Sequence, residues 1–230
     1  SARDRSMTPP STAPQPAEPQ PASAVAGWSL ALLLAINLFN YIDRQILAAV
    51  EPEIRRAFFP HDDALGIART GWLATAFLLS YMLLAPLFGW LADWMSRWII
   101  IGCSVALWSL ASGWSGLAES FTVLLITRIF VGIGEAGYGP AAPAILSDLY
   151  PVEKRGRILS LFYVAIPVGS AIGYSFGSGM AGWMGRPDGW RWPFYLVALP
   201  GLLLALACFF RRDVRAVGAS TAKPMRLADL

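Results

Sequence analysis

Charge is scarce in this chain. Only 14% of its 230 residues are charged, against about 25% in an ordinary soluble domain. Hydrophobic residues make up 56%, and mean hydropathy is +0.51. A soluble chain of this size cannot hide so much apolar surface, so the excess must face lipid. Histidine is nearly absent: His61 stands alone in a polar loop and is given no role. The two cysteines, Cys103 and Cys208, lie in separate apolar runs and read as small buried thiols; a disulfide or metal site is not expected. No nucleophile–base pair and no metal-ligand spacing is present, so the sequence predicts no enzyme, no metal and no cofactor. The net charge of +3 does not point to nucleic acid, because the basic residues gather at the ends of apolar runs.

What is abundant is long apolar sequence. Six segments, roughly 28–50, 71–92, 98–118, 121–149, 158–183 and 192–210, are each about long enough to cross a ~30 Å hydrocarbon core. They must be helices even where they hold Gly and Pro, since an open strand leaves its backbone unsatisfied in lipid. The expected fold class is therefore an all-α integral membrane protein, a six-helix transmembrane bundle over 28–210. Residues 1–27, with prolines at 9, 10, 14, 16, 19 and 21, read as a disordered cytoplasmic tail. Residues 211–230 read as a basic cytoplasmic linker towards a missing second half. Two groups of three helices are consistent with a 3+3 inverted repeat.

Lys and Arg set the orientation. Of the 18, Arg55, Arg56, Arg69, Arg186 and Arg191 fall in outer loops, Arg44 and Arg128 lie within spans, and the rest gather on the other side. The expected arrangement is multi-pass in a cell (plasma or inner) membrane with both ends of the chain cytoplasmic.

Asp43 and Arg44 in helix 1, and Arg128 and Glu135 in helix 4, are ionisable residues well inside spans. Each charge costs roughly 2.5–3.5 kcal/mol at a bilayer centre on insertion scales. They must face the bundle interior or water and pair. Helix 1 runs outward and helix 4 inward, which places Asp43 and Arg128 at a similar depth, roughly 10 Å below the outer surface. Glu135 is two turns further along the Arg128 face, within reach of Arg44. The set is either an ion-pair clamp that orients two helices or part of a substrate and proton pathway, the commoner meaning of intramembrane charge. Tyr41 and Tyr138 stand near these charges and suit a cavity for a ligand with a polar head and an apolar body.

Gly169, Gly173, Gly177 and Ala181 recur every four residues, giving helix 5 a small-residue stripe for close approach. Pro167 precedes it and predicts a bend, because the carbonyl of Tyr163 loses its donor. Helix 4 carries Gly132, Gly134, Gly137, Gly139, Pro140 and Pro143, enough to weaken its lower half. Either hinges or static close packing would use such residues.

The short connection after helix 2 reads Gly89-Trp-Leu-Ala-Asp93-Trp-Met-Ser-Arg97. It resembles the signature between helices 2 and 3 of the major facilitator superfamily, with Trp94, Ser96 and Trp98 where basic residues and Gly are usual. The resemblance implies a gating role for Gly89, Asp93 and Arg97, with Asp93 contacting the opposite half. Asn40-Tyr-Ile-Asp43-Arg44, Ser80-Tyr-Met-Leu-Leu-Ala-Pro86, Arg128, Val131-Gly-Ile-Gly-Glu135-Ala136, Ala142-Pro143, Asp148-Leu149, Arg157 and Leu159 to Ser170 are similar to the Spinster branch of that superfamily. This implies the N-terminal half of a twelve-helix exporter or exchanger, linked in animals to sphingosine phosphates and lysophospholipids and to proton coupling.

The leading expectation is a secondary transporter working by alternating access. Its cargo would be an amphipathic, anionic small molecule (lysophospholipid or sphingolipid-like), with protons, membrane lipids and the C-terminal six-helix half as partners. Arg44 or Arg128 would meet an anionic head group, and Asp43 and Glu135 would exchange pairing. The alternatives are a carrier of small organic anions and a non-transporting six-helix scaffold or regulator.

Overall fold

A computed structural model describes residues 23–61, 63–184 and 188–211. The tail up to residue 22, Arg186 and the linker from 212 onward lie outside the described residues. Six helices run in order: α1 Ser23–Phe58, α2 Asp63–Trp94, α3 Arg97–Gly116, α4 Phe121–Leu149, α5 Val152–Met184 and α6 Trp192–Phe209. All six are long and apolar enough to cross a membrane, and no strand occurs among the described residues.

Several helices outrun their apolar segments. α1 begins at Ser23, inside the stretch 1–27 read as tail, because the last tail proline is Pro21 and the following residues tolerate a helix. Beyond residue 50 it continues through Pro52 to Phe58, and α2 already begins at Asp63, so most of the stretch 51–70 expected as loop is helical. Glu51–Arg55 and Glu53–Arg56 pairs along the helix support this extension. Arg55 and Arg56 in the last turn also suit the negative end of the helix dipole. α5 likewise starts at Val152, with Glu153 in its first turn where the dipole favours an acid.

The helix pairing is unchanged when α1–α3 are exchanged with α4–α6. α1 packs on α5 as α4 packs on α2, α3 packs on α6, and α3 meets α4 as α6 meets α1. That is the contact pattern of an inverted repeat. α3 is the enclosed scaffold, with most of its span buried, whereas α2 is barely buried and turns its apolar surface outward.

Glycines set these pairings. A Cβ on Gly173 would press on the backbone of Ile42, one on Gly169 would lie 2.8 Å from the carbonyl of Leu38, and one on Gly177 would lie 2.9 Å from Ala49 Cβ. α5 therefore sits directly on the α1 backbone. α4 uses two glycine faces: Gly132 and Gly139 meet Phe77, Ser80 and Tyr81 of α2, while Gly134 and Gly137 meet Trp108 and Ser104 of α3. α4 is one continuous helix through Pro140 and Pro143, and α5 is one through Pro167. The side chain of Asn37 donates to the Phe162 carbonyl at 2.8 Å, one residue before the Tyr163 carbonyl that Pro167 leaves without its helical donor. Cys208 is buried, but Cys103 lies exposed on the bundle surface, a correction to its reading as a buried thiol. An apolar run in lipid has an outward face as well as an inward one.

Two apolar cores divide the bundle, one around Leu33, Ile36, Ile101 and Leu146, the other around Ile46, Ile54, Leu124 and Trp190. Along α1 and α4 the changeover falls next to the four intramembrane charges. Outside them, Arg191 donates to the carbonyls of Gly116 and Ala118 at 2.8 and 2.6 Å, satisfying the open end of α3.

Candidate functional site

Asp43, Arg128 and Glu135 are almost completely buried, at 1%, 2% and 1% exposure. A charge so placed must have specific partners. Arg44, whose side chain is 29% exposed, forms an ion pair with Glu135 across the α1–α4 boundary. Its Nε donates to Glu135 Oε2 at 2.6 Å. The guanidinium also lies over three rings: Phe77 at 4.8 Å, Tyr41 at 5.4 Å and Tyr81 at 5.5 Å from the centroids. Tyr41 and Arg44 come from α1, Phe77 and Tyr81 from α2, and Glu135 from α4.

The expected direct pair of Asp43 with Arg128 is not formed. Arg128 is the strongest opposing charge acting on Asp43, but α3 places hydroxyls on both groups. Ser112 donates to Asp43 Oδ1, and Arg128 donates through Nη2 to Ser115 Oγ. The single hydroxyl proton of Ser115 has two acceptors in reach, Thr127 Oγ1 at 2.8 Å and the Ala111 carbonyl at 3.0 Å. The reason is reach: an aspartate is short, and two serines one turn apart on α3 present hydroxyls on the same face, one donating to Asp43 and one accepting from Arg128. Asp43 Oδ2 and Arg128 Nε are left without a hydrogen bond, and the Arg128 guanidinium lies 5.3 Å from the Phe194 ring.

Two cavities meet at Arg44. The outer one, about 490 Å³, is lined by Asp43, Arg44, Glu51 and Arg128 together with apolar Leu47, Ile67, Leu73, Phe77 and Val131. That is the size range and the mixed lining of a small-molecule site. The inner one, about 150 Å³, is more polar and holds Asn37, Asn40, Tyr41, Glu135, Tyr138 and Tyr163. Tyr138 lines it, but its hydroxyl is committed to the Leu33 carbonyl at 2.8 Å, so it also pins α4 to α1.

Near the α2–α3 connection, a Cβ on Gly89 would meet Pro140 Cβ at an ordinary contact distance of 3.9 Å. Arg97 pairs with Asp148 of α4, within this six-helix unit, while Asp93 is exposed at the end of α2. The hydroxyls of Ser112, Ser115 and Thr127 and the rings of Phe77 and Tyr81 were not assigned site roles from sequence. Ser109, Ser112 and Ser115 at spacings of three, in an otherwise apolar helix, were the available signal for the first group.

No metal-binding cluster of His, Cys, Asp and Glu occurs among the described residues. The sequence pattern of the Major Facilitator Superfamily matches residues 33–229. Protein spinster homolog 1 of Xenopus laevis is 39% identical over 197 residues, which is 85% of this chain and 36% of the relative. The human Protein spinster homolog 1 is 40% identical over 182 residues, 78% of this chain and 33% of the relative. The chain thus spans about a third of the length of these curated relatives. Among solved structures, it is similar to a bacterial homolog of the human lysosomal transporter Spinster in an inward-facing, unoccupied conformation. That match has a TM-score of 0.75 and 29% identity, covering 85% of this chain and 45% of that one. A D-xylose–proton symporter shares the fold alone, at TM-score 0.70 and 20% identity. The six helices described above correspond to the N-terminal half of such a fold, and the chain belongs to the Major Facilitator Superfamily, in its Spinster-like branch.

Proposed function

We propose that these six helices form the N-terminal half of a secondary transporter that moves an amphipathic, anionic small molecule, lysophospholipid-like or sphingolipid-like, by alternating access with proton coupling. The observation that carries this reading is the Arg44–Glu135 pair, set between an amphipathic outer cavity and a polar inner one. A clamp that only oriented helices would have no need of open space on both sides. In this reading Arg44 and Arg128 attract the anionic head group, the apolar wall of the outer cavity takes the tail, and Asp43 and Glu135 carry protons as their partners change. Burial favours a neutral acid and a neighbouring arginine favours a charged one, so movement of an arginine moves a proton. Asp93 contacts the second half at the cytoplasmic side, and both ends of the chain lie in the cytoplasm of a cell membrane.

The test is flux of a fluorescent lysophospholipid into liposomes containing the full-length protein. Wild type transports it, Arg44→Gln reduces the rate at least about tenfold (about 1.4 kcal/mol), and the 230-residue chain alone transports nothing. Flux driven by the isolated six helices as a monomer would overturn the half-transporter reading.

A further inference from the structure

Arg128 is held from behind by a helix that lines neither cavity. It borders the outer cavity from α4, while α6 contributes no residue to the wall of that cavity or of the inner one. Phe194 of α6 is wholly buried, and its ring faces the Arg128 guanidinium at 5.3 Å. The same end of α6 also fixes the acceptor that Arg128 uses. Ser115 Oγ accepts from Arg128 Nη2. The carbonyl of the next residue, Gly116, accepts from the Tyr195 hydroxyl at 2.6 Å and from Arg191 Nη1 at 2.8 Å. A Cβ on Gly116 would overlap the Tyr195 ring, so this approach requires glycine. Arg191 lies over the Trp190 ring at 4.6 Å, and Trp190 meets Phe194 edge to face with centroids 6.2 Å apart. The contacts close a circuit. It runs from Arg128 through Ser115 and Gly116 to Arg191, then through Trp190 and Phe194 back to Arg128.

We propose that Phe194 and Tyr195 are positioning residues, and that through this bracket α6 sets where Arg128 presents its charge to an anionic ligand in the outer cavity. The inference rests on the transport reading above and adds to its site two residues that do not touch the cargo.

The chemistry of the holders is the argument. A carboxylate in contact with Arg128 would fix the guanidinium and neutralise it at once. A serine oxygen and an aromatic face are neutral, so they fix its position and leave its charge to act on the cavity. Arg128 Nε makes no hydrogen bond, and Asp43 opposes the charge without pairing with it directly. Arg44 is the contrast, in a direct ion pair with Glu135 and with its side chain 29% exposed. One arginine must leave a carboxylate to meet a ligand, and the other already stands at the cavity wall. Packing alone would not put a guanidinium on the Phe194 ring, since a buried charge among neutral groups is unfavourable and an aliphatic side chain would fill the space. A charge placed in advance lowers the reorganisation that binding requires. Loosening the bracket therefore weakens capture of the cargo more than it slows turnover.

The experiment combines flux of a fluorescent lysophospholipid into liposomes with thermal unfolding in detergent, both on the full-length protein. Phe194→Met keeps an apolar side chain of similar volume but removes the ring face, and Tyr195→Phe removes only the hydroxyl on Gly116. KM should rise about tenfold in Phe194→Met and about threefold in Tyr195→Phe, while kcat stays within about twofold of wild type. Val197→Ala, a buried change one turn further along α6, should lower the melting temperature and leave KM unchanged. The melting shift caused by Phe194→Met should fall by at least about half when Arg128→Gln is already present, because the ring then has no cation to hold. A wild-type KM in both bracket variants, an equal rise in Val197→Ala, or additive melting shifts for Phe194→Met and Arg128→Gln overturns the bracket. Coupled melting shifts in a full-length wild-type background that drives no flux would support the hold on Arg128 and overturn the transport reading instead.

Discussion

Ser112 of α3 donates its hydroxyl to Asp43 of α1, so a buried aspartate is held by a neutral donor while its counter-charge, Arg128, is held by Ser115 one turn away. The two charges share a cavity wall without touching. Such an arrangement is easily altered, because neither charge must break a direct ion pair in order to move.

Removing that hydroxyl should cost stability. Ser112→Ala leaves Asp43 without its side-chain hydrogen bond and should destabilise the full-length protein by about 1–3 kcal/mol. Asp43→Asn should cost more, about 3–5 kcal/mol, because Arg128 loses its principal opposing charge. Thermal unfolding in detergent gives the order. Equal melting of Ser112→Ala and wild type would mean that the hydroxyl contact carries no weight.

The glycine faces make a sharper structural prediction. A Cβ at Gly173 would press on the α1 backbone, whereas one at Gly179 meets nothing within 4 Å. Gly173→Ala should therefore destabilise by about 1–3 kcal/mol through overpacking. Gly179→Ala should be neutral or stabilise by up to about 1 kcal/mol. Similar melting temperatures for the two variants would contradict the α1–α5 packing.

Orientation can be read by labelling. With Cys103 and Cys208 replaced by Ala, a single cysteine at Arg157 should react only from the cytoplasmic side and one at His61 only from outside. Reaction of both from the same side would break the six-span topology.

The six spans and their charges were legible because lipid leaves the backbone few choices. The approach of Arg44 to Glu135 followed from depth along two antiparallel helices and from the length of an arginine side chain. The helix ends were less legible: Glu51 to Phe58 reads as loop by polarity, but charge pairs along the helix and the dipole keep it helical. The α3 serines were passed over because a serine in an apolar helix can satisfy itself on a carbonyl one turn back, as Ser115 does with Ala111. Their second role depends on what the neighbouring helices bring. The glycines of α4 carried the same ambiguity: spacing marks close approach, but only the partners Phe77, Tyr81, Ser104 and Trp108 show that they serve packing against two helices at once.

In the proposed cycle the Arg44–Glu135 pair opens and closes with a proton during transport. The most direct measurement is the rate of lysophospholipid flux against pH for full-length wild type and Glu135→Gln in liposomes. A permanently neutral group at 135 mimics the protonated acid, so the variant should insert and fold normally while its flux becomes flat with pH, where wild type varies. A Glu135→Gln protein that keeps the wild-type pH profile would contradict the account and move the coupling role to Asp43.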